Sequence, residues 1–230
     1  MSVFTQYKDL EDAVVEWVDR EDIRPYVGQY ARLVTVEATR DLRVPIMERT
    51  LVIPVTADAS AKAPVDLIEI KNVNWVLVEE DGDDLYITDR IALNRTSQFE
   101  YQKTRKEGSY VADSKPTAFA QEGAFIKIAP LPIVDELIID EGSTNDTVAG
   151  YIEMTYYALP ITMKTPFDRN WLLDTAPDIY FYGCLMHACR FIKDLDSSEF
   201  WAGKYKESLA ALQGQAKKAE YSGGPIIVGG

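Results

Sequence analysis

The sequence predicts an α+β fold: a four-helix bundle built from the two ends of the chain, an antiparallel β domain inserted between them, and an extended C-terminal tail. Three observations predict it. Apolar residues recur every three or four positions up to about Leu42, the period of a helix with one buried face. From Arg49 to Pro160 they alternate or run β-branched, as in strands. From Asn170 helical spacing returns. The expected division is 1–48 with 161–222 for the helical bundle, 49–160 for the β domain and 223–230 for the tail.

Along the N-terminal segment, Tyr7, Leu10, Val14, Trp17 and Val18 share one stripe, with Lys8, Glu11, Asp12 and Glu16 opposite. The spacing predicts a helix over Tyr7 to Val18. The stretch DREDIRP turns the chain, and Pro25 suits the first turn of a second helix. That helix is expected to turn Tyr26, Tyr30, Leu33, Val34 and Ala38 inward and to end before Pro45. A helical hairpin cannot bury both stripes alone, so the C-terminal helices must supply the partner. The ends of the inserted β unit must then lie close together.

Within the β unit, RTLVIPV reads as a strand, with Pro54 marking an edge or an end. DLIEIKNVNWVLVEE and LYITDRIAL flank the tight-turn signal DGDD. Residues 94–116 are polar and without clean period, a loop holding at most one short element. TAFAQEGAFIKIAP reads as a hairpin around Gly123, and VDELIID and GYIEMTYYALP as two further strands. Six to eight strands are expected in all.

The third helical segment opens with Thr175-x-x-Asp178, which resembles a capping box, with Pro177 in the first turn. Ile179 to Ile192 is apolar on nearly every side, the mark of a helix buried all round. LDSS is expected to break it, and a last helix to run from about Ser198 to Tyr221, with Trp201, Tyr205, Leu209, Leu212 and Ala216 on one stripe. Trp17, Tyr30, Ile179, Met186 and Trp201 are expected to share the bundle core. Beyond the last helix, Gly223, Gly224 and Pro225 release the chain. Pro225, Ile226, Ile227 and Val228 then form a partner-binding segment: three β-branched residues suit an extended conformation laid along another protein.

The 230 residues are 47% hydrophobic, enough for one large domain or two small ones. A formal net charge of -13, from 37 acids against 24 bases, argues against a protein that grips nucleic acid. No apolar run approaches the ~18 residues of a membrane span, and MSVFTQYKDLEDAV lacks the basic start and apolar core of a signal peptide. A cytosolic place of assembly is expected.

Candidates for chemistry are few. His187, the one histidine, lies in the most apolar helix and reads as a satisfied core residue. Cys184 and Cys189, five apart on a helix, point about 140° apart and cannot bridge each other. Neither fits a zinc site, and both read as buried free thiols. No phosphate-binding glycine loop or nucleophile elbow occurs. EEDGDD lacks the acid spacing and distal glutamate of a calcium loop. The expectation is a protein without catalytic, cofactor or metal site. Its 13 tyrosines and 4 tryptophans suggest that its work is contact.

Three stretches in order resemble the head-to-tail adaptor (connector) proteins of tailed bacteriophages, the tail-tubular-A-like ones of short-tailed phages in particular. They are YKDLEDAVVEWVDREDI with YARLVTVEATRDLRVPIMERT, then EGAFIKIAPLP with YIEMTYYALP, then NWLLDTAPDIYFYGCLMHACRFIKD with WAGKYKESLAALQGQAKKAEYSGGP. The first pairs a helix ending in W-x-x-R-x-D with one ending in RDLR and ME. The resemblance covers both ends and part of the middle, but not 94–116. It implies a helical bundle with an inserted β domain, assembled as a twelve-fold homo-oligomeric ring under the portal protein. Such a ring extends the DNA channel and docks tail nozzle or tail fibre proteins, in a virion assembled in the host cytoplasm. An acidic wall would let DNA slide through without specific binding. Other readings are a different virion ring component, such as a head- or tail-completion protein, a ligand-binding β domain on a helical stalk with Trp75 and Tyr86 lining a pocket, and a hydrolase using Glu79, Glu80 and Asp84.

Overall fold

The computed structural model describes residues 4–81, 84–107, 115–130 and 148–222. In chain order the elements are α1 (Tyr7–Val18), α2 (Arg24–Asp41), β1 (Glu48–Thr56), β2 (Ser60–Lys62), β3 (Leu67–Asp81), β4 (Asp84–Ala92), β5 (Asn94–Arg95), α3 (Gln98–Glu107), β6 (Ala118–Glu122), β7 (Phe125–Ala129), β8 (Val148–Ala158), α4 (Trp171–Thr175), α5 (Pro177–Phe191) and α6 (Leu195–Ser222). The fold is mixed α+β. Two compact units are present, Met1–Met47 with Leu159–Gly230, and Glu48–Ala158.

In the helical unit α5 is central, packing against α1, α2, α4 and α6. Its seven consecutive residues Gly183 to Cys189 are all buried, which explains why its sequence shows no polar face. Leu10, Val14, Val27, Val34, Ala38, Leu172, Leu173, Ile179 and Leu185 close around it. Full burial of each large aliphatic side chain contributes about 1.5–3 kcal/mol. Gly183 sets the closeness of the packing: a Cβ there would lie 2.5 Å from Val34 Cγ2 and 3.3 Å from Tyr205 Cδ2. A buried polar knot adds direction. Asn170 donates through Nδ2 to the Ile161 carbonyl and to Tyr180 Oη, both at 2.9 Å, and accepts from Leu173 N–H at 3.0 Å. Tyr180 Oη also meets Thr35 Oγ1 at 2.8 Å, tying α5 to α2.

Several local expectations differ from this arrangement. In α2 the buried stripe is Val27, Tyr30, Ala31, Val34, Ala38 and Thr39, whereas Tyr26 and Leu33 are exposed. The close approach at Gly183 is made by Val34, while farther along the same face Tyr30 stacks on His187 of α5 at 6.2 Å. Thr175 ends α4 instead of capping α5; the capping side chain belongs to Asn170, at the start of α4. LDSS is the first turn of α6, not a break. The break lies one step earlier, where Lys193 takes a left-handed conformation (φ 65°) and Asp194 caps α6 by accepting from Ser197 N–H at 3.1 Å.

The β unit is two four-stranded sheets, ordered β1-β8-β3-β4 and β2-β7-β6-β5. Only β5 and β6 pair in parallel among the described strands. The inward residues of both sheets make one core, including Val55, Val73, Trp75, Phe119, Ile126, Ile128, Ile152, Met154 and Tyr156. Alternation along β8 buries every second residue from Ile152 to Ala158, as period two requires. Gly150 (φ 151°) lies against the Trp75 ring; a Cβ there would stand 2.3 Å from Trp75 Cη2. The polar stretch after β4 is not a plain loop. It holds β5 and α3, whose Tyr101 packs with Ala120 and Ala129. One buried aromatic is enough to seat a helix that lacks an apolar stripe. The expected strand VDELIID, the tip of the DGDD turn and the tail 223–230 lie outside the described residues.

Candidate functional site

An aromatic surface forms where α1, α5 and α6 meet. Each helix contributes from a known place on its stripe. Trp17 is one residue from the end of α1, just before Asp19 turns the chain with φ 54°. Phe181 and Tyr182 are adjacent on α5, and Phe200 and Trp201 on α6. Neighbours on a helix diverge by ~100°, so an adjacent aromatic pair at the margin of the bundle leaves part of its rings outside the core. That adjacency is the sequence signal for this surface, and a single apolar stripe does not reveal it.

The rings interlock edge to face. Trp17 and Trp201 have centroids 5.4 Å apart at 88°, and Trp17 and Phe181 6.2 Å apart at 87°. Trp201 stacks on Tyr182 at 5.6 Å and receives the edge of Phe200 at 4.9 Å. Phe4 extends the set, 5.4 Å from Phe181. These are favourable offset and T-shaped arrangements. The set is nevertheless open to solvent, with Trp17 60% and Phe200 58% exposed. Ala13, Glu16, Trp17 and Phe181 line a shallow depression in it.

The five residues expected in one core therefore divide. Tyr30, Ile179 and Met186 are buried. Trp17 is not a core residue, and Trp201 is half-buried beside it. The physical reason is position: Trp17 follows the Leu10–Val14 stripe but stands in the last turn, beyond the body of the hydrophobic contact. Pro225, Ile226, Ile227 and Val228 lie outside the described residues.

The interior offers little chemistry. Burial pushes both thiols, Cys184 and Cys189, above their ordinary range, which keeps them protonated and unreactive. His187 stands 3.4 Å from Glu37 on α2, and its Nε2 is buried without a hydrogen bond, so it is not the satisfied residue expected. Burial lowers its pKa, against the opposing pull of the Glu37 carboxylate. At 3.4 Å the contact becomes an ion pair only when the imidazole is protonated. Trp75 is buried in the β core while Tyr86 is exposed, so the two do not line a common pocket. Among the described residues no group of three or more His, Cys, Asp or Glu is placed to hold a metal ion. No helix among them is long and apolar enough to cross a membrane.

The chain thus holds a β unit, inserted in sequence between the two parts of a helical unit that carries an open aromatic face. A family model described as SU10 adaptor protein matches residues 5–229, and the chain belongs to that family of structural bacteriophage adaptor proteins. None of the curated proteins compared with it matches.

Proposed function

We propose that this protein is the head-to-tail adaptor of a short-tailed phage, one subunit of a twelve-fold ring seated under the portal. In this reading the ring continues the DNA channel and gives tail nozzle or fibre proteins their docking surface. The observation that carries it is the adaptor family match over 5–229, nearly the whole chain. Helices α1, α2, α5 and α6 are read as the four-helix bundle of the ring, with the β unit as a separate domain and 223–230 as an extended arm that lies along the portal or a neighbouring subunit. The net charge of -13 supports a channel that lets DNA pass without gripping it, because repulsion between wall and phosphates prevents the counterion release that drives binding.

The test is electron microscopy of the purified protein mixed with portal rings. Rotationally symmetric rings stacked coaxially on the portal are expected. A protein that leaves portals bare, or that caps isolated tails instead, overturns the reading in favour of a tail-completion component.

A further inference from the structure

We propose that the aromatic surface formed by Trp17, Phe181, Tyr182, Phe200 and Trp201 receives Ile226, Ile227 and Val228 from a second copy of this chain. The inference rests on the ring reading and gives one contact of that ring its two sides.

The surface is apolar, aromatic and open, which in water calls for an occupant. Its own chain's tail cannot be that occupant. Trp201 and Ser222 belong to one continuous helix, α6. The 21 residues between them, at ~1.5 Å each, separate them by about 31 Å. Val228 follows Ser222 by six residues, which reach at most about 22 Å when fully extended. The segment therefore falls short of its own Trp201 by roughly 10 Å, and it starts from the far end of the helix.

Charge selects the same occupant. Two copies of a chain with net charge -13 repel, and the depression beside Trp17 carries Glu16 on its wall. An acidic segment is disfavoured there. Residues 222–230 carry no charged side chain, and Ile226, Ile227 and Val228 are branched aliphatics of a size to sit between rings. Pro225, with φ held near -65°, limits the freedom lost on docking. Surface and segment are thus different parts of the chain, the segment following the end of α6 far from Trp201. Such a heterologous contact closes into a ring when the rotation permits, and repetition around the ring multiplies its strength.

The test uses two full-length chains, one bearing Glu16→Cys and one bearing Val228→Cys with a mass tag, mixed and assembled on portal rings under mild oxidation. Cys184 and Cys189 are buried and serve as the unreactive background. A mixed disulfide at the summed mass of the two chains is expected. The double variant Trp17→Ser with Phe200→Ser is expected to stay folded, with its melting temperature lowered by only a few degrees, and to weaken ring assembly at least about tenfold, as loss of an aromatic anchor does. Rings that form on the portal without the mixed disulfide, or a Val228→Cys chain that cross-links to portal instead, overturn this inference and leave the ring reading standing. Absence of any ring on the portal overturns both.

Discussion

Glu48, the first residue of the β unit, lies directly opposite Tyr157, the last but one, in the antiparallel pair β1–β8. Cα atoms paired in this way stand about 4.5–5.5 Å apart. The two ends of the β unit therefore lie side by side, and an insertion of 111 residues, Glu48–Ala158, costs little loop entropy.

Excision tests this directly. A chain in which 48–158 is replaced by a short Gly-Ser linker is expected to keep its helices, and 48–158 alone is expected to fold as a β domain. Circular dichroism of the two pieces checks both. Loss of helix in the first piece contradicts the separability of the units.

Gly183→Ala is expected to destabilise the helical unit by about 1–3 kcal/mol, the cost of overpacking a well-filled core. The new methyl would stand 2.5 Å from Val34 Cγ2 and 3.3 Å from Tyr205 Cδ2, so a neighbouring side chain or helix must shift. Thermal denaturation should show the loss, and Val34→Ala in the same chain should restore part of it.

Trp17→Ala is expected to cost no more than about 1 kcal/mol, since the side chain is 60% exposed and leaves no cavity. Ile179→Ala, which empties a fully buried site, is expected to cost about 2–5 kcal/mol. Equal effects of the two changes on denaturant midpoints would contradict this placement of the aromatic surface.

Acid should loosen the helical unit through His187. Burial holds its folded-state pKa below the ordinary value near 6.5. The unfolded chain then binds the proton more readily than the folded one, so stability rises with pH below about 6.5 and is fully present above it. The groups that face the imidazole are Glu37 on α2, which opposes the shift, and Arg190 on α5, which adds to it. His187→Gln is expected to flatten the slope of melting temperature between about pH 5 and 6.5. The depressed carboxylates Asp58, Asp168 and Asp194 titrate lower and should leave the remaining slope near pH 4.

Duplex DNA is expected to bind weakly at physiological salt, in keeping with the net charge of -13. Electrophoretic mobility shifts at increasing protein concentration check this. Tight binding that survives neutralisation of the α6 lysines Lys204, Lys206, Lys217 and Lys218 would contradict a sliding channel.

The sequence by itself determined what depends on neighbours along the chain. The limits of α1, the burial of α5 on all sides and the change of period at Arg49 follow from the spacing of apolar residues and the reach of one turn or one pleat. Tertiary structure decided what depends on which surfaces meet. Tyr26 and Val27 are adjacent on α2, and local spacing tolerates either inward; the packing against α5 buries Val27 with Tyr30 and Val34 and leaves Tyr26 at the margin against Phe191. The helix α3 forms in a stretch without an apolar stripe because Tyr101 finds a seat on β6 and β7, against Ala120 and Ala129. Trp17 completes its stripe in the sequence, yet stands at the margin of contact in space. Periodicity reports which residues share a face. It carries no information on where a partner helix ends, because that length is set by another part of the chain, brought near only by folding.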